Sequence, residues 1–269
     1  MNMRKACVNG INLAFDVRGS GPPLVLIMGY RLNSRAWPFE FIEGIAKQRT
    51  VILFDNRGIG RSSGLTPDNV ASMAADAMAF IEALEIARVD VLGFCLGSMV
   101  ALQMLFDSPA RIRRAILVGA GGPGAAGMLR PEVAMVAARA RMDADGLLFL
   151  LFQPTNASQA AGGRYVERMR RQADGEPAIT PHAIEAHLAA IRAWGAANGE
   201  AFARLKQIEQ PVLIVNGTRD IMVPSFNAFA LAQQIPNAQL ILYPDAGHGS
   251  LFQYPDWFVH DALRFLGRA

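Results

Sequence analysis

The sequence predicts an α/β fold built on a doubly wound, mostly parallel sheet with a helical block inserted into it, and three observations predict it. Short apolar runs alternate with helix-period segments through the first half of the chain; about 80 residues with no convincing strand follow; the strand pattern then returns. Of 269 residues, 52% are apolar and 18% charged, too rich in core formers and too poor in charge for a disordered protein.

Ala6 to Val8 and Ile11 to Val17 open the chain as two strands split by Asn9-Gly10, a turn dipeptide of tight hairpins, so the sheet begins antiparallel. Leu24 to Met28, Val51 to Phe54, Val89 to Phe94 and Ile116 to Val118 are compact apolar runs, as expected of strands covered on both faces. Asn69 to Leu84 and Leu96 to Phe106 carry apolar residues at helical spacing, the second ending before Ser108 and Pro109. After Ala120, Gly121-Gly122-Pro123-Gly124 breaks the chain. Helices are predicted over Pro131 to Arg141, Asp145 to Phe152, Gln159 to Arg171, Pro181 to Trp194 and Asn198 to Ile208. Val212 to Asn216 and Gln239 to Tyr243 restore strands, with helices at Pro224 to Gln234 and Pro255 to Leu266. Residues 1–123 and 205–269 are therefore expected to form one α/β core, with residues 124–204 as a helical lid.

The charge balance, 26 basic against 23 acidic residues, is modest, and no run of five like charges marks a nucleic-acid or membrane patch. Arg111, Arg113 and Arg114 form the tightest basic cluster and read as a solvated strand entry. The start has no apolar stretch of secretory length, and the six residues Leu147 to Phe152 fall far short of the roughly 20 that cross a bilayer. Two cysteines, Cys7 and Cys95, give no disulfide framework, so a reducing cytoplasm is expected.

The most specific local signal is Gly93-Phe94-Cys95-Leu96-Gly97, where a strand hands over to a helix. A side chain held at the tip of such a turn strains its own backbone and forces the flanking segments together, so positions two before and two after must be very small. The frame selects Cys95 over nearby Ser98, whose corresponding neighbours are Leu96 and Val100. The competing reading is an ordinary buried cysteine. A helix N-terminus and an adjacent imidazole would both favour a thiolate here.

These residues resemble the α/β-hydrolase superfamily, with Gly-x-Cys-x-Gly where the family usually has Gly-x-Ser-x-Gly. The resemblance spans nearly the whole chain and implies an α/β-hydrolase fold, a mostly parallel eight-stranded sheet flanked by helices with an all-helical lid. It also implies the chain order nucleophile, acid, histidine. Asp220, in Asn216 to Pro224, matches the acid loop, and His248, in Tyr243 to Gly249, matches the histidine loop. The other three histidines, His182, His187 and His260, fall in predicted helices. Asp245 is a weaker rival to Asp220 that reads as a loop-shaping residue. For the oxyanion the resemblance implies the backbone amides of Leu96 and Tyr30, although Met28 stands where the family usually has a loop-bracing histidine. Asp55-Asn56-Arg57-Gly58-Ile59-Gly60-Arg61-Ser62 is like the family's Asp-x-Arg-Gly-x-Gly-x-Ser turn and reads as structural.

The implied chemistry is a Cys95-His248-Asp220 triad attacking small-molecule esters or lactones through a thioester, with no metal or organic cofactor. The layout resembles 3-oxoadipate enol-lactonase-like hydrolases and small bacterial signalling hydrolases, families that normally use serine. Dienelactone hydrolases and polyhydroxyalkanoate synthases share the cysteine. Two other functions remain open, an acyltransferase or thioesterase using the same cysteine and a slow-turnover ligand-sensing protein. The expected partner is a small-molecule acyl substrate, without nucleic acid or membrane; a homodimer is left open, and a protein partner belongs to the sensing reading alone. Leu147 to Phe152 with Met128, Met135 and Met142 suggest an apolar roof, for which core packing is an equal explanation. Arg139, Arg141, Arg164, Arg168, Arg170 and Arg171 read as a solvated helix face before a carboxylate-attracting one.

Overall fold

The computed structural model describes residues 3–139, 143–172, 175–196 and 198–267. Strands β1 (Arg4–Val8) and β2 (Ile11–Arg18) pair antiparallel. Asn9 and Gly10 between them take φ of 48° and 74°, the left-handed pair that a two-residue hairpin turn needs. The remaining strands are β3 (Pro23–Ile27), β4 (Thr50–Phe54), β5 (Val89–Phe94), β6 (Ile112–Val118), β7 (Val212–Gly217) and β8 (Ala238–Tyr243).

They form one eight-stranded sheet in the order β1-β2-β4-β3-β5-β6-β7-β8. β2 meets β4 antiparallel, and every later pairing is parallel. Because β3 lies between β4 and β5, the chain leaves β3 to one side and returns past it to the other. The carboxyl ends of β3 and β5 thus flank a topological switch point, the place where open α/β sheets bind ligands.

Helices cover both faces. Before the insertion these are α1 (Phe39–Ala46), α2 (Val70–Ala83) and α3 (Leu96–Asp107). The first was not foreseen in the sequence; it buries Phe41, Ile42 and Ile45. Between β6 and β7 come α4 (Pro131–Ala137), α5 (Ala144–Leu151), α6 (Asn156–Gln172), α7 (Pro181–Gly195) and α8 (Gly199–Ala203). The helix expected to reach Arg141 ends at Ala137, and Arg141 itself lies outside the described residues. The helix expected over Asn198 to Ile208 is the short α8 followed by a 3₁₀ turn, Arg204–Gln207. After β7 follow α9 (Phe226–Gln234), α10 (Ser250–Gln253) and α11 (Pro255–Leu266). α11 closes the sheet face beside α1, with the rings of Phe41 and Phe258 5.3 Å apart.

The basic cluster at the start of β6 is not a solvated strand entry. Asp90 in β5 is wholly buried, and Arg49 and Arg113 both reach it, Arg113 Nε at 2.8 Å and Arg49 Nη1 at 3.2 Å. Arg111 donates to the Ile86 carbonyl, and Arg114 is itself buried. The strand consequently begins at Ile112, four residues before the apolar run that signals it.

Candidate active site

Cys95 occupies the single position between the end of β5 and the start of α3. Its φ of 56° and ψ of −121° are costly for a residue with a Cβ, so its surroundings must hold it there. They do so on both sides: Cys95 N–H donates to the Val118 carbonyl at 2.9 Å, and the Cys95 carbonyl accepts from Ser98 N–H at 2.9 Å and Ser98 Oγ at 2.6 Å. Ser98, the rejected alternative, thus spends its hydroxyl on holding the turn. A methyl group on Gly93 would overlap the Gly97 carbonyl, and one on Gly97 the Ile27 carbonyl, so backbone meets backbone where the sequence demanded small residues.

Asp220 sits in the loop after β7, with Asn216 bracing that loop through Val223 O (3.1 Å) and Gly217 N–H (3.0 Å). Asp220 Oδ1 accepts from the amides of Met222 at 2.8 Å and Val223 at 2.9 Å, which leaves Oδ2 aimed at His248. His248 Nδ1 lies 2.7 Å from that oxygen, and both side chains are buried. Burial by itself disfavours a charged ring, but the Asp220 charge and hydrogen bond, with the Cys95 sulfur adding its charge, raise the His248 pKa from 6.5 to about 10. Its Nε2 is buried without a conventional hydrogen-bond partner. Asp245, the rival acid, instead shapes the histidine loop: it takes φ of 48°, accepts from Thr155 Oγ1 of the insertion and gives its carbonyl to Gln253.

The loop after β3 leans directly on the elbow. A Cβ on Gly29 would lie 2.6 Å from Cys95 Cβ and 3.3 Å from Leu96 N, so the loop approaches as closely as a glycine allows. Leu96 is the first residue of α3, and among the described residues no acceptor in the chain takes the backbone N–H of either Leu96 or Tyr30. Two unspent donors therefore belong to segments packed against Cys95.

A chamber of about 610 Å³ opens above these groups. Cys95, His248, Tyr30 and Phe94 form its floor, and Leu147, Leu150 and Leu151 of α5 its roof. Phe94 also carries the imidazole, with ring centres 5.1 Å apart.

The alpha/beta hydrolase fold profile matches residues 22–255. The chain belongs to the α/β-hydrolase family. A solved α/β hydrolase fold protein from Chitinophaga pinensis superposes with a TM-score of 0.93 at 36% identity, over 99% of this chain and 98% of that one. Among curated relatives, a Mycobacterium tuberculosis protein named as a non-heme bromoperoxidase, BpoC, is 27% identical over 95% of this chain and 98% of its own length. The pimeloyl-[acyl-carrier protein] methyl ester esterase of Nitrosomonas europaea is 26% identical over 94% of this chain and 99% of its own.

In this α/β hydrolase Cys95, His248 and Tyr30 line the chamber, while Asp220 lies behind His248 and Leu96 follows Cys95 at the start of α3, neither of them in the lining. Several of its other contributors carried no sequence signal. Met169 of α6, Ala178 and Ile179 before α7, Met222 of the acid loop and Arg31 also line it. Of the expected roof, Phe149 and Met135 are exposed, Leu148, Phe152 and Met128 lie outside the lining, and Met142 is outside the described residues. None of Arg139, Arg164, Arg168, Arg170 and Arg171 lines the chamber; Arg168 donates to the carbonyls of Ala36 and Trp37. Gly119, after β6, was also missed: a Cβ there would come within 2.6 Å of His248 Cε1, so the imidazole needs a glycine beside it. The Asp55 turn is structural, its carboxylate accepting from the amides of Ser34 and Arg61, while Arg57 pairs with Asp76. Among the described residues no three His, Cys, Asp or Glu side chains cluster as metal ligands, and no helix is long and apolar enough to cross a membrane.

Proposed function

We propose that this α/β hydrolase cleaves uncharged, largely apolar esters or lactones through a thioester on Cys95. One observation carries the reading: a strained Cys95 shares a chamber with His248, whose Nδ1 is bound to buried Asp220 and whose pKa is raised by Asp220 and by the Cys95 sulfur. The raised His248 pKa favours a charged imidazolium, and in the proposed reaction the Cys95 sulfur attacks as thiolate beside it.

The sulfur adds to the substrate carbonyl, and the amides of Tyr30 and Leu96 receive the developing oxyanion. Collapse breaks the carbon–oxygen ester bond, and the leaving alkoxide takes its proton from His248. A water then gives a proton to His248 as its oxygen attacks the thioester, and the carbon–sulfur bond breaks to return the thiolate and release a carboxylic acid. Asp220 holds the ring and stabilises its charged form throughout. A thiolate is expelled from the tetrahedral adduct more easily than an amine, which favours esters and lactones over amides. The apolar roof selects an apolar acyl group, and the Nitrosomonas relative's name, a methyl ester esterase, points to the same bond.

The test is Cys95→Ala in purified protein assayed on a panel of esters and lactones. Turnover is expected to vanish together with iodoacetamide labelling of the Cys95 peptide. Hydrolysis that persists in the alanine protein overturns the nucleophile.

A further inference from the structure

The loop that carries Tyr30 draws its support from outside itself. Met28 offers no side-chain hydrogen bond; its carbonyl accepts from Asn56 Nδ2 at 3.0 Å. Leu32 N–H donates to the Gly29 carbonyl at 3.3 Å, which sets the Gly29–Tyr30 peptide plane and with it the direction of the Tyr30 N–H. The next peptide is held by the inserted helices. Arg31 N–H donates to His187 Nδ1 of α7 at 3.2 Å, and Tyr30 Oη donates to the Ala137 carbonyl at the end of α4 at 2.7 Å. Arg31 takes φ of 63°, a conformation that must be imposed from outside.

We propose that His187 is a positioning residue for the oxyanion-binding amide of Tyr30, so that the inserted helices complete the site through the Arg31 N–H···Nδ1 hydrogen bond. The inference rests on the roles assigned above to Cys95 and the Tyr30 amide. His187 is 1% exposed, with its ring centre 6.0 Å from that of Tyr30. Burial, with the Arg31 charge adding to it, pushes its pKa down to about 4, so the ring is neutral at ordinary pH and Nδ1 keeps the lone pair that accepts. Its Nε2 is buried without a partner. An unpaired buried polar atom is a cost that an aliphatic side chain of similar size avoids. Packing therefore does not explain a histidine here; the hydrogen bond to Arg31 is what it adds.

Two variants separate positioning from packing. His187→Leu keeps the bulk and loses the acceptor, whereas His187→Asn can place its Oδ1 near the site of Nδ1. Single-turnover acylation by a p-nitrophenyl ester reads the oxyanion site. Alkylation of Cys95 by iodoacetamide displaces iodide at a saturated carbon and forms no oxyanion, so it reads only the sulfur. Exposed Cys7 serves as the internal reference for labelling in the same protein. His187→Leu is expected to acylate about tenfold to a hundredfold more slowly, to alkylate at Cys95 within about twofold of the native rate, and to melt no lower. His187→Asn is expected to recover most of the acylation rate. Native-rate acylation in His187→Leu overturns the proposal, as does a parallel fall of acylation and alkylation in both variants. A native protein that is alkylated at Cys95 yet never acylated there overturns the nucleophile reading instead, before either variant is made.

Discussion

His248 Nδ1 and Asp220 Oδ2 lie 2.7 Å apart in a site from which solvent is excluded. Asp220 therefore determines the protonation of His248 as well as its orientation. A histidine whose folded-state pKa, about 10, exceeds its ordinary 6.5 stabilises the fold fully below pH 6.5, and that contribution is lost as pH rises through 10. Native protein is expected to lose thermal stability between pH 6.5 and 10 more steeply than Asp220→Asn. Melting curves across that range check it, and parallel slopes for the two proteins contradict it. The same variant is expected to slow acylation by about two to four orders of magnitude, because the amide holds the imidazole in the wrong tautomer and no longer stabilises its charged form.

Gly29 links the oxyanion loop to the elbow, and its replacement separates catalysis from folding. Gly29→Ala forces the new methyl group against Cys95 Cβ and the Phe94 carbonyl, each at 2.6 Å, so the loop must lift. Overpacking of this kind costs about 1–3 kcal/mol. The Tyr30 amide moves with the loop, and kcat is expected to fall by roughly tenfold or more while the protein stays folded. Circular dichroism with steady-state kinetics checks this; unchanged kcat would mean that the Tyr30 amide takes no part.

Asp90 predicts the opposite outcome. It sits at the entry end of β5, far along the strand from Cys95, and ties buried Arg49 to Arg113. Asp90→Ala leaves Arg49 buried without its carboxylate, and breaking such a pair costs about 3–5 kcal/mol. Denaturant unfolding is expected to show that loss, while the folded fraction keeps native kcat.

The elbow was legible in the sequence because its requirement is steric and local: only glycine fits at positions 93 and 97, so the pattern marks the turn wherever it occurs. Asp220 and His248 were implied by the family resemblance, through the chain order of their loops, and the two side chains meet. The chamber lining was not legible. Met169, Ile179 and Met222 come from three separate segments, and nothing local distinguishes them from core residues. α1 escaped because Phe39 and Phe41 alternate as in a strand, although Phe39 is exposed and only Phe41, Ile42 and Ile45 face inward. Arg113 at the start of β6 misled for a related reason: its partner Asp90 lies 23 residues away in the chain, and Arg49, which shares that carboxylate, lies 41 from it.

The chamber makes a final prediction about substrate. Its roof is aliphatic; of the cationic side chains in its described lining, His248 is bound to Asp220 and Arg31 already donates to the carbonyls of Ala137 and Arg139. Each methylene that moves from water into such a roof contributes about 0.8 kcal/mol, or about fourfold in kcat/KM. A series of p-nitrophenyl esters is therefore expected to gain about that factor per added carbon until the roughly 610 Å³ chamber is full, and then to level off or fall. A carboxylate at the far end of the acyl chain gives up its hydration for an apolar wall and a guanidinium already engaged, so it is expected to lower kcat/KM at equal length. Trimming the roof with Leu147→Ala should shift the optimum toward longer chains. A flat profile across the series, or faster turnover of the carboxylated esters, would mean that the acyl group does not occupy this chamber.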